Sequence, residues 1–365
     1  MRYSLIIPVY NRPDEVDELL QSLTTQTLRD FEVVVVEDGS DIPCHEVVNR
    51  YAGQLDIKYF SKPNEGPGQT RNYGAERCQG EYLIVLDSDC VLPPGYLQAV
   101  ETELSERPCE AFGGPDRAHE SFTPTQKAIN YSMTSFFTTG GIRGGKKQMD
   151  KKFYPRSFNM GVKASLYREL GGFSPMRFGE DIDFSIRIYK SGARCRLFPE
   201  AWVWHKRRTD LRKFFKQVHN SGIARINLMK RHPGSLKLVH LLPAVFTVGT
   251  FGLLLLMLLG LLLALLGAWT MTRGEFPRCV TGEMMCIALG VAMLLAALSP
   301  LLLFSLIIGI DSSLRNRSLK VGLLSVPAAF IQLIGYGTGF LRAWWLRCVM
   351  GRDEELQAFR KTFYK

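Results

Sequence analysis

The stretch Tyr82-Leu83-Ile84-Val85-Leu86-Asp87-Ser88-Asp89 decides the fold. Its apolar run reads as a strand buried on both faces, and it stops abruptly at two carboxylates. Similar runs precede it. Ser4–Val9 is a continuous apolar strand, and Phe31–Val36 is a second whose four valines are too β-branched to favour a helix. Ile57–Phe60 is a third. Between them lie helical stretches. Asp14–Leu23 places Val16, Leu19, Leu20 and Leu23 on one face, with Pro13 near its start, and Gly68–Cys78 is the other. Strands separated by helices predict βαβ units, hence an α/β fold with a mainly parallel sheet. Such sheets bind ligands at the carboxyl ends of their strands.

Those ends are polar. The first strand runs into Pro8-Val9-Tyr10-Asn11, the second into Glu37-Asp38-Gly39-Ser40-Asp41 and the fourth into Asp87-Ser88-Asp89. Ordinary turn chemistry accounts for Asp38-Gly39 and Asp41. It accounts poorly for Asp87 and Asp89, which repel each other unless a cation or base partners them. Hard divalent cations take carboxylate oxygens and bridge phosphates, so this is a candidate metal–diphosphate site. Further on, Gly171-Gly172-Phe173 precedes Gly179-Glu180-Asp181-Ile182-Asp183, which opens an amphipathic helix over Phe184–Lys190. Carboxylates there also suit a helix N-terminus as capping charges. Trp202-Val203-Trp204-His205 is a short strand ending in a histidine beside Lys206-Arg207-Arg208; a lone histidine is more often structural than a ligand.

The ordered set resembles the inverting family 2 glycosyltransferases of GT-A fold, in particular membrane-anchored bacterial members. The resemblance rests on Ile7–Asn11, Val36–Asp41, Gly66-Pro67-Gly68-Gln69-Thr70-Arg71-Asn72, Asp87-Ser88-Asp89, Asn159-Met160-Gly161, Gly171–Phe173, Gly179-Glu180-Asp181 and His205, and covers roughly residues 4–205. It implies a nucleotide-sugar pocket at Pro8, Tyr10, Asn11, Asp38, Arg71, Asp87 and Ser88, with Asp38 accepting from the base. It implies that Asp89, with Asp87 and His205, holds Mg²⁺ or Mn²⁺, that Asp181 is the general base, and that Glu180 positions the acceptor or the helix. The processive relatives' Gln-x-x-Arg-Trp motif has no match. The nearest stretch, Gln217–Arg225, lacks the tryptophan, which argues against a processive polymerase.

The chain has 365 residues and a formal net charge of +10, which divides unevenly. Residues 1–140 carry −11, residues 141–237 carry +16 and residues 238–365 carry +5. Eight cysteines without a C-x-x-C spacing read as reduced thiols. The apolar segment after Met1-Arg2-Tyr3 ends at Pro8, too short for a signal h-region, so the front domain is expected in the cytoplasm.

Three apolar runs follow. No charged residue lies between His240 and Arg273; Met284–Ile310 and Val321–Leu341 are equally uncharged. Each reaches the ~20 residues of a membrane-spanning helix. The basic segment with Lys230, Arg231 and Lys237, and the loop with Arg315, Arg317 and Lys320, predict the cytoplasmic side. Three full crossings would put a basic tail (Arg342, Arg347, Arg352, Arg360, Lys361, Lys365) outside, against that rule. Either the rule fails there or one run is re-entrant. Pro327 and Gly335-Tyr336-Gly337-Thr338-Gly339 make the third run the suspect. Leu211, Phe214, Phe215 and Val218, flanked by Arg212, Lys213 and Lys216, form an amphipathic basic helix that reads as resting on anionic lipid or as packed on protein. Residues 139–147, rich in Gly and Lys, read as an acceptor loop or an ordinary loop.

The expected organisation is a GT-A catalytic domain over 1–208, an interfacial segment over 209–237, about three transmembrane helices over 238–345 and a basic tail over 346–365. The expected activity is metal-dependent, inverting sugar transfer from a nucleoside-diphosphate sugar to a lipid-linked acceptor, a polyprenyl phosphate or a lipid-linked glycan, in cell-envelope or surface-polysaccharide synthesis. The expected place is the cytoplasmic membrane, in contact with its lipids, multi-pass, with the catalytic domain facing the cytoplasm and no nucleic-acid partner. A nucleotidyltransferase would instead carry a Gly-rich basic loop after the first strand, where this chain has Tyr10-Asn11-Arg12-Pro13. A non-catalytic membrane scaffold would have no need of Asp87, Asp89 and Asp181 together.

Overall fold

The computed structural model describes residues 1–117, 119, 121–140, 153–273 and 280–356. The 141–147 part of the glycine-rich stretch, Cys279 and the tail cations Arg360, Lys361 and Lys365 lie outside them. The chain divides into two compact units. One comprises Met1–Thr123, Gly141–Arg208 and Asn227–His232; the other comprises Pro124–Gly140, Thr209–Ile226 and Pro233–Lys365.

In chain order the elements are β1 (Tyr3–Val9), α1 (Pro13–Thr24), β2 (Phe31–Asp38), α2 (His45–Asn49), β3 (Ile57–Lys62), α3 (Pro67–Ala75), β4 (Tyr82–Leu86), β5 (Cys90–Val91), α4 (Tyr96–Glu106), β6 (Ala111–Gly113) and β7 (Asp116–Arg117). There follow α5 (Pro124–Thr134), α6 (Phe136–Thr139), β8 (Asn159–Lys163), α7 (Ala164–Glu169), α8 (Glu180–Lys190), β9 (Cys195–Leu197) and β10 (Val203–His205). Helices α9 (Leu211–Arg231), α10 (Leu242–Arg273), α11 (Val280–Asn316) and α12 (Leu319–Trp344) complete it.

The first unit is built on a seven-stranded sheet in the order β3-β2-β1-β4-β8-β6-β9. Strands β3, β2, β1 and β4 run parallel. Strand β8 is antiparallel to both β4 and β6, and β9 is parallel to β6. Alternation along the strands sorts two cores. Leu5, Ile7, Val33 and Val35 pack with Leu19 and Leu20 of α1 on one face. Ile6, Val34, Val36 and Val85 pack with Ala75 of α3, Tyr167 of α7 and Phe184 of α8 on the other. Both faces are covered, which is why Leu5–Val9, Val33–Val36 and Tyr82–Leu86 are apolar without alternation. Gly161 of β8 lies beneath Phe112 of β6, where an added Cβ would stand 2.0 Å from the ring. The small sheet β5-β10-β7 carries His205 at the end of β10.

In the second unit the apolar face of α9 is covered by protein. Phe214 and Val218 are buried against Ile129 and Met133 of α5, with Ile331 of α12 packed beside them. Among the described residues, three helices, Leu238–Thr272, Gly282–Asn316 and Leu319–Val349, are long and apolar enough to cross a membrane. The described cysteines are free thiols.

Candidate active site

The site lies in the first unit, where strand order reverses about β1. The β1–β4 ladder ends at Ile6↔Val85, whereas β1 stays paired with β2 through Pro8↔Val36 and Val9↔Glu37. Pro8, which has no N–H, therefore sits where the β4 side needs no donor. The diverging ends of β1 and β4 open the crevice expected at such a switch point. Ser88 is buried at its wall.

Arg71, on α3, spans that crevice. Its Nη2 lies 2.8 Å from Asp87 Oδ1 and its Nη1 lies 2.8 Å from Glu180 Oε1. The guanidinium is buried and lies over the Phe173 ring at 5.2 Å. Its neighbour Asn72 fixes the Gly171-Gly172-Phe173 turn. Asn72 Oδ1 accepts from Phe173 N at 2.8 Å and from Tyr167 Oη at 2.7 Å, and Nδ2 donates to Phe173 O at 2.8 Å. Two sequence motifs a hundred residues apart are thus one hydrogen-bonded unit.

Asp89 stands between two cations. Oδ2 is 2.6 Å from Arg12 Nη1, and Oδ1 is 3.1 Å from His205 Nε2. His205 Nε2 is also 4.0 Å from Asp87 Oδ2, while its Nδ1 faces Asp116 Oδ2 at 3.8 Å and its ring stacks on Phe158. Asp116 is in turn paired with Arg207 at 2.6 Å. Burial works against the Asp89 charge, but His205 and Arg12 hold its carboxyl well below the usual range. Burial alone would lower His205; Asp89 and Asp116 push it up to about 9.

Asp89, Cys90 and His205 bring their donor atoms within 4.8 Å of one another. Asp89 Oδ1 is buried and accepts no hydrogen bond in that cluster. A carboxylate and an imidazole suit Mg²⁺ or Mn²⁺, and a cation there requires the imidazole to be neutral. The thiol does not fit the role. Burial pushes Cys90 far up, and its Sγ donates to Phe158 O at 3.4 Å.

Glu180 and Asp181 open α8, after Gly179 in the left-handed region at φ 85°. The two carboxylates differ. Burial raises Glu180, Asp181 adds to that, and the carboxyl is pushed up to about 7 despite Arg71. Asp181 is also buried, but Arg156 and Arg71 hold it below the usual range; Arg156 Nε lies 2.7 Å from Asp181 Oδ2. Asp183 anchors the same helix. His232 Nε2 is 2.8 Å from its Oδ1, and Arg187 Nε donates to its Oδ2 at 2.9 Å. Arg187 also donates to Leu170 O and Gly172 O.

Asp87, Asp89, His205, Arg71, Glu180 and Asp181 therefore converge. Asp38 and Asn11 are committed to the backbone. Asp38 Oδ1 and Oδ2 accept from Glu65 N and Gly66 N, each at 2.9 Å, and Lys62 lies 3.2 Å away. Asn11, at φ 53°, donates its N–H to Ser40 Oγ and accepts from Ile42 N. Tyr10 is half-buried at the end of β1. Sequence reasoning missed Arg12, Asp116, Arg156, Arg207 and His232. Arg12 follows the first strand directly, which was a usable signal. The other four carry none, because their partners are remote in sequence.

Residues 4–171 match the model of glycosyl transferase family 2. The pre-mycofactocin glycosyltransferase of Mycobacterium tuberculosis is 29% identical over 232 residues, 63% of this chain and 48% of its own length. The validoxylamine A glucosyltransferase of Streptomyces hygroscopicus subsp. jinggangensis is 26% identical over 283 residues, 68% of this chain and 65% of its own. The chain spans about half the length of the Mycobacterium protein. Among solved structures, the mannosyltransferase PcManGT from Pyrobaculum calidifontis, in complex with GDP-Man and Mn²⁺, superposes with a TM-score of 0.52 at 18% identity, over 93% of this chain and 87% of its own. The parallel sheet with its strand-end carboxylates, the family match and the shared fold agree: residues 4–171 match glycosyl transferase family 2, and the sheet is that of a GT-A glycosyltransferase domain.

Proposed function

We propose that this protein is a membrane-bound, inverting glycosyltransferase that moves a sugar from a nucleoside-diphosphate sugar to a lipid-linked acceptor, in cell-envelope or surface-polysaccharide synthesis. The observation that carries the reading is the Asp87–Arg71–Glu180 bridge, which ties the β4 strand end to the start of α8. It holds the carboxylates beside a diphosphate site and the acidic start of α8 on one buried cation.

In this reading the nucleotide sugar lies against Pro8, Tyr10, Asn11, Asp38, Arg71, Asp87 and Ser88. Asp89, Asp87 and His205 would hold Mg²⁺ or Mn²⁺, which would supply positive charge beside the departing diphosphate. Asp181 takes the proton from the acceptor hydroxyl as its oxygen attacks the anomeric carbon. Its partner Arg156 keeps it ionised and ready to accept. Glu180, half-protonated near neutrality, orients the start of α8 through Arg71. One direct displacement uses one base and inverts the anomeric centre. The apolar helices hold the site at a membrane, which concentrates a lipid-borne acceptor on the same surface. Sugar nucleotides are made in the cytoplasm, so the reading places the domain on the cytoplasmic face of the inner membrane.

The test uses the full-length protein in lipid nanodiscs with a panel of uridine and guanosine diphosphate sugars, Mn²⁺, and polyprenyl phosphate or lipid-linked glycan. Acceptor-dependent release of nucleoside diphosphate from one donor, with the opposite anomeric configuration in the product, is expected. Absence of release with every donor and acceptor would overturn the reading.

A further inference from the structure

The second unit contains a long two-helix hairpin and a third apolar helix that does not run alongside it. Helices α10 and α11 pack antiparallel along their length. Gly260 faces Gly290, with an added Cβ 2.7 Å from Gly290 O; Gly267 faces Glu283, with its Cβ 2.9 Å from Glu283 O. Near the other end the rings of Phe246 and Phe304 lie 5.1 Å apart. The register is constant from end to end.

Helix α12 meets this hairpin at one end. Ser325 Oγ is 2.7 Å from Ser312 Oγ, and the Phe330 ring is 5.3 Å from Phe304 and 5.8 Å from Phe246. Seven residues later, about 10 Å along the helix, Gly337 should face Leu253 if α12 climbed beside α10. It faces Thr247 and Pro243 instead, with an added Cβ 2.0 Å from Thr247 Oγ1 and 2.5 Å from Pro243 O. The helix has stopped climbing by Phe330. Its last turns pack on α9, where Gly339 meets His219 O and Gly222 meets Tyr336 O.

Burial along the hairpin agrees. Past Thr250 the shielded positions of α10 are 253, 256, 257, 260, 263, 264, 267 and 270, a single stripe that faces α11. A second neighbour would shield a second stripe. Phe251, Leu254, Leu258 and Leu261, which continue the Pro243 and Thr247 face of α10 and would lie under a climbing α12, are exposed. The part of α10 with one neighbour, residues 250–273, is about 36 Å long, enough for a hydrocarbon core of ~30 Å. By contrast, α12 is enclosed by α5, α9 and the hairpin's end, which explains an apolar sequence without a bilayer around it.

We propose that only α10 and α11 cross the bilayer and that α12 lies in the membrane interface, so that the chain's end returns to the side from which α10 enters. The partner is a bilayer surface. Phe136 and Phe137 of α6, Leu319 and Leu323 of α12, and Trp344 and Trp345 at its end are exposed, and large apolar and aromatic side chains of this kind sit at the headgroup–acyl boundary. Two crossings also put Arg342, Arg347 and Arg352 on the side of Arg315, Arg317 and Lys320, as the positive-inside rule asks.

Two native cysteines test this. Cys348 is exposed just after α12, and Cys279 lies in the connection between α10 and α11. Single-cysteine variants retaining one or the other go into sealed vesicles that present residues 1–230 to the bath, as checked by protease digestion. A membrane-impermeant maleimide should label Cys348 without detergent and Cys279 only after detergent. Labelling of Cys348 only after detergent means that α12 crosses, and overturns the proposal. Labelling of Cys279 without detergent means that the hairpin does not cross, and also overturns it. An epitope appended after Lys365 of the otherwise unchanged chain provides a readout free of cysteine replacement. It should be lost to protease in the same vesicles, and its protection would overturn the proposal.

Discussion

Arg71 and Glu180, 109 residues apart, form a 2.8 Å ion pair with both side chains buried, and the other arm of the same guanidinium holds Asp87. One cation thereby fixes the strand end that would carry the diphosphate site against the helix that would carry the base. Removing one partner of a buried pair leaves an uncompensated charge, at about 3–5 kcal/mol. Arg71→Ala should therefore lower stability by that order and abolish transfer. Arg71→Lys should restore part of the stability and little activity, because an ammonium cannot bridge two carboxylates as a planar fork does. Urea unfolding and turnover of the two variants check this; an Arg71→Lys protein with normal turnover would refute the bridge's role.

Asp181→Asn should leave donor binding nearly intact and slow transfer by about 10²-fold or more, the usual worth of a general base. Glu180→Gln should be milder, because the folded protein already keeps this carboxyl partly protonated near pH 7. Comparing kcat and donor affinity for the pair separates the roles. Equal losses in both variants would remove the distinction drawn between them.

The raised Glu180 carboxyl also sets a pH dependence. The unfolded chain releases that proton in the ordinary carboxylate range, the folded chain only at about 7. Its contribution to stability is therefore complete in acid and is lost as pH rises through about 7. Thermal unfolding between pH 6 and 8 should show a decline that Glu180→Gln flattens. An unchanged slope in the variant would assign the decline to another group.

Asp89→Ala should abolish activity without unfolding the protein, and excess chelator should do the same to the parent chain. The motive is the buried Asp89 Oδ1, which faces His205 Nε2 at 3.1 Å. Arg12 would lose its contact with Asp89 in this variant, so circular dichroism must accompany the assay. Full activity in chelator would contradict the cation assignment.

His232→Ala removes the hydrogen bond to Oδ1 of Asp183, which is fully buried at the start of α8, and leaves Arg187 on Oδ2. A buried acceptor left unpaired costs about 1–3 kcal/mol. Stability should fall by that amount, and His232→Asn should recover part of it. Loss of turnover beyond what the stability change explains would show that this contact also positions Asp181.

Much of this was legible in the residues themselves. The apolar runs Leu5–Val9, Val33–Val36 and Tyr82–Leu86 predict a parallel sheet because full burial on both faces demands consecutive apolar side chains. Asp87, Asp89, Glu180, Asp181 and His205 stand out because carboxylates and imidazole at strand and helix ends follow local rules of chain direction. Strand β8, antiparallel in the middle of the sheet, was not legible: its pairing with β4 joins residues nearly eighty positions apart, and no local pattern encodes the direction of such a partner. The same holds for Arg156 on Asp181, Arg12 on Asp89 and His232 on Asp183, whose meaning exists only once the chain has closed. Composition alone measured three apolar runs as equivalent. Whether an apolar helix is wrapped by lipid or by other helices depends on its neighbours, and for α12 only the tertiary structure supplies them: Thr247 and Pro243 at Gly337, His219 at Gly339, and Val218 at Gly335.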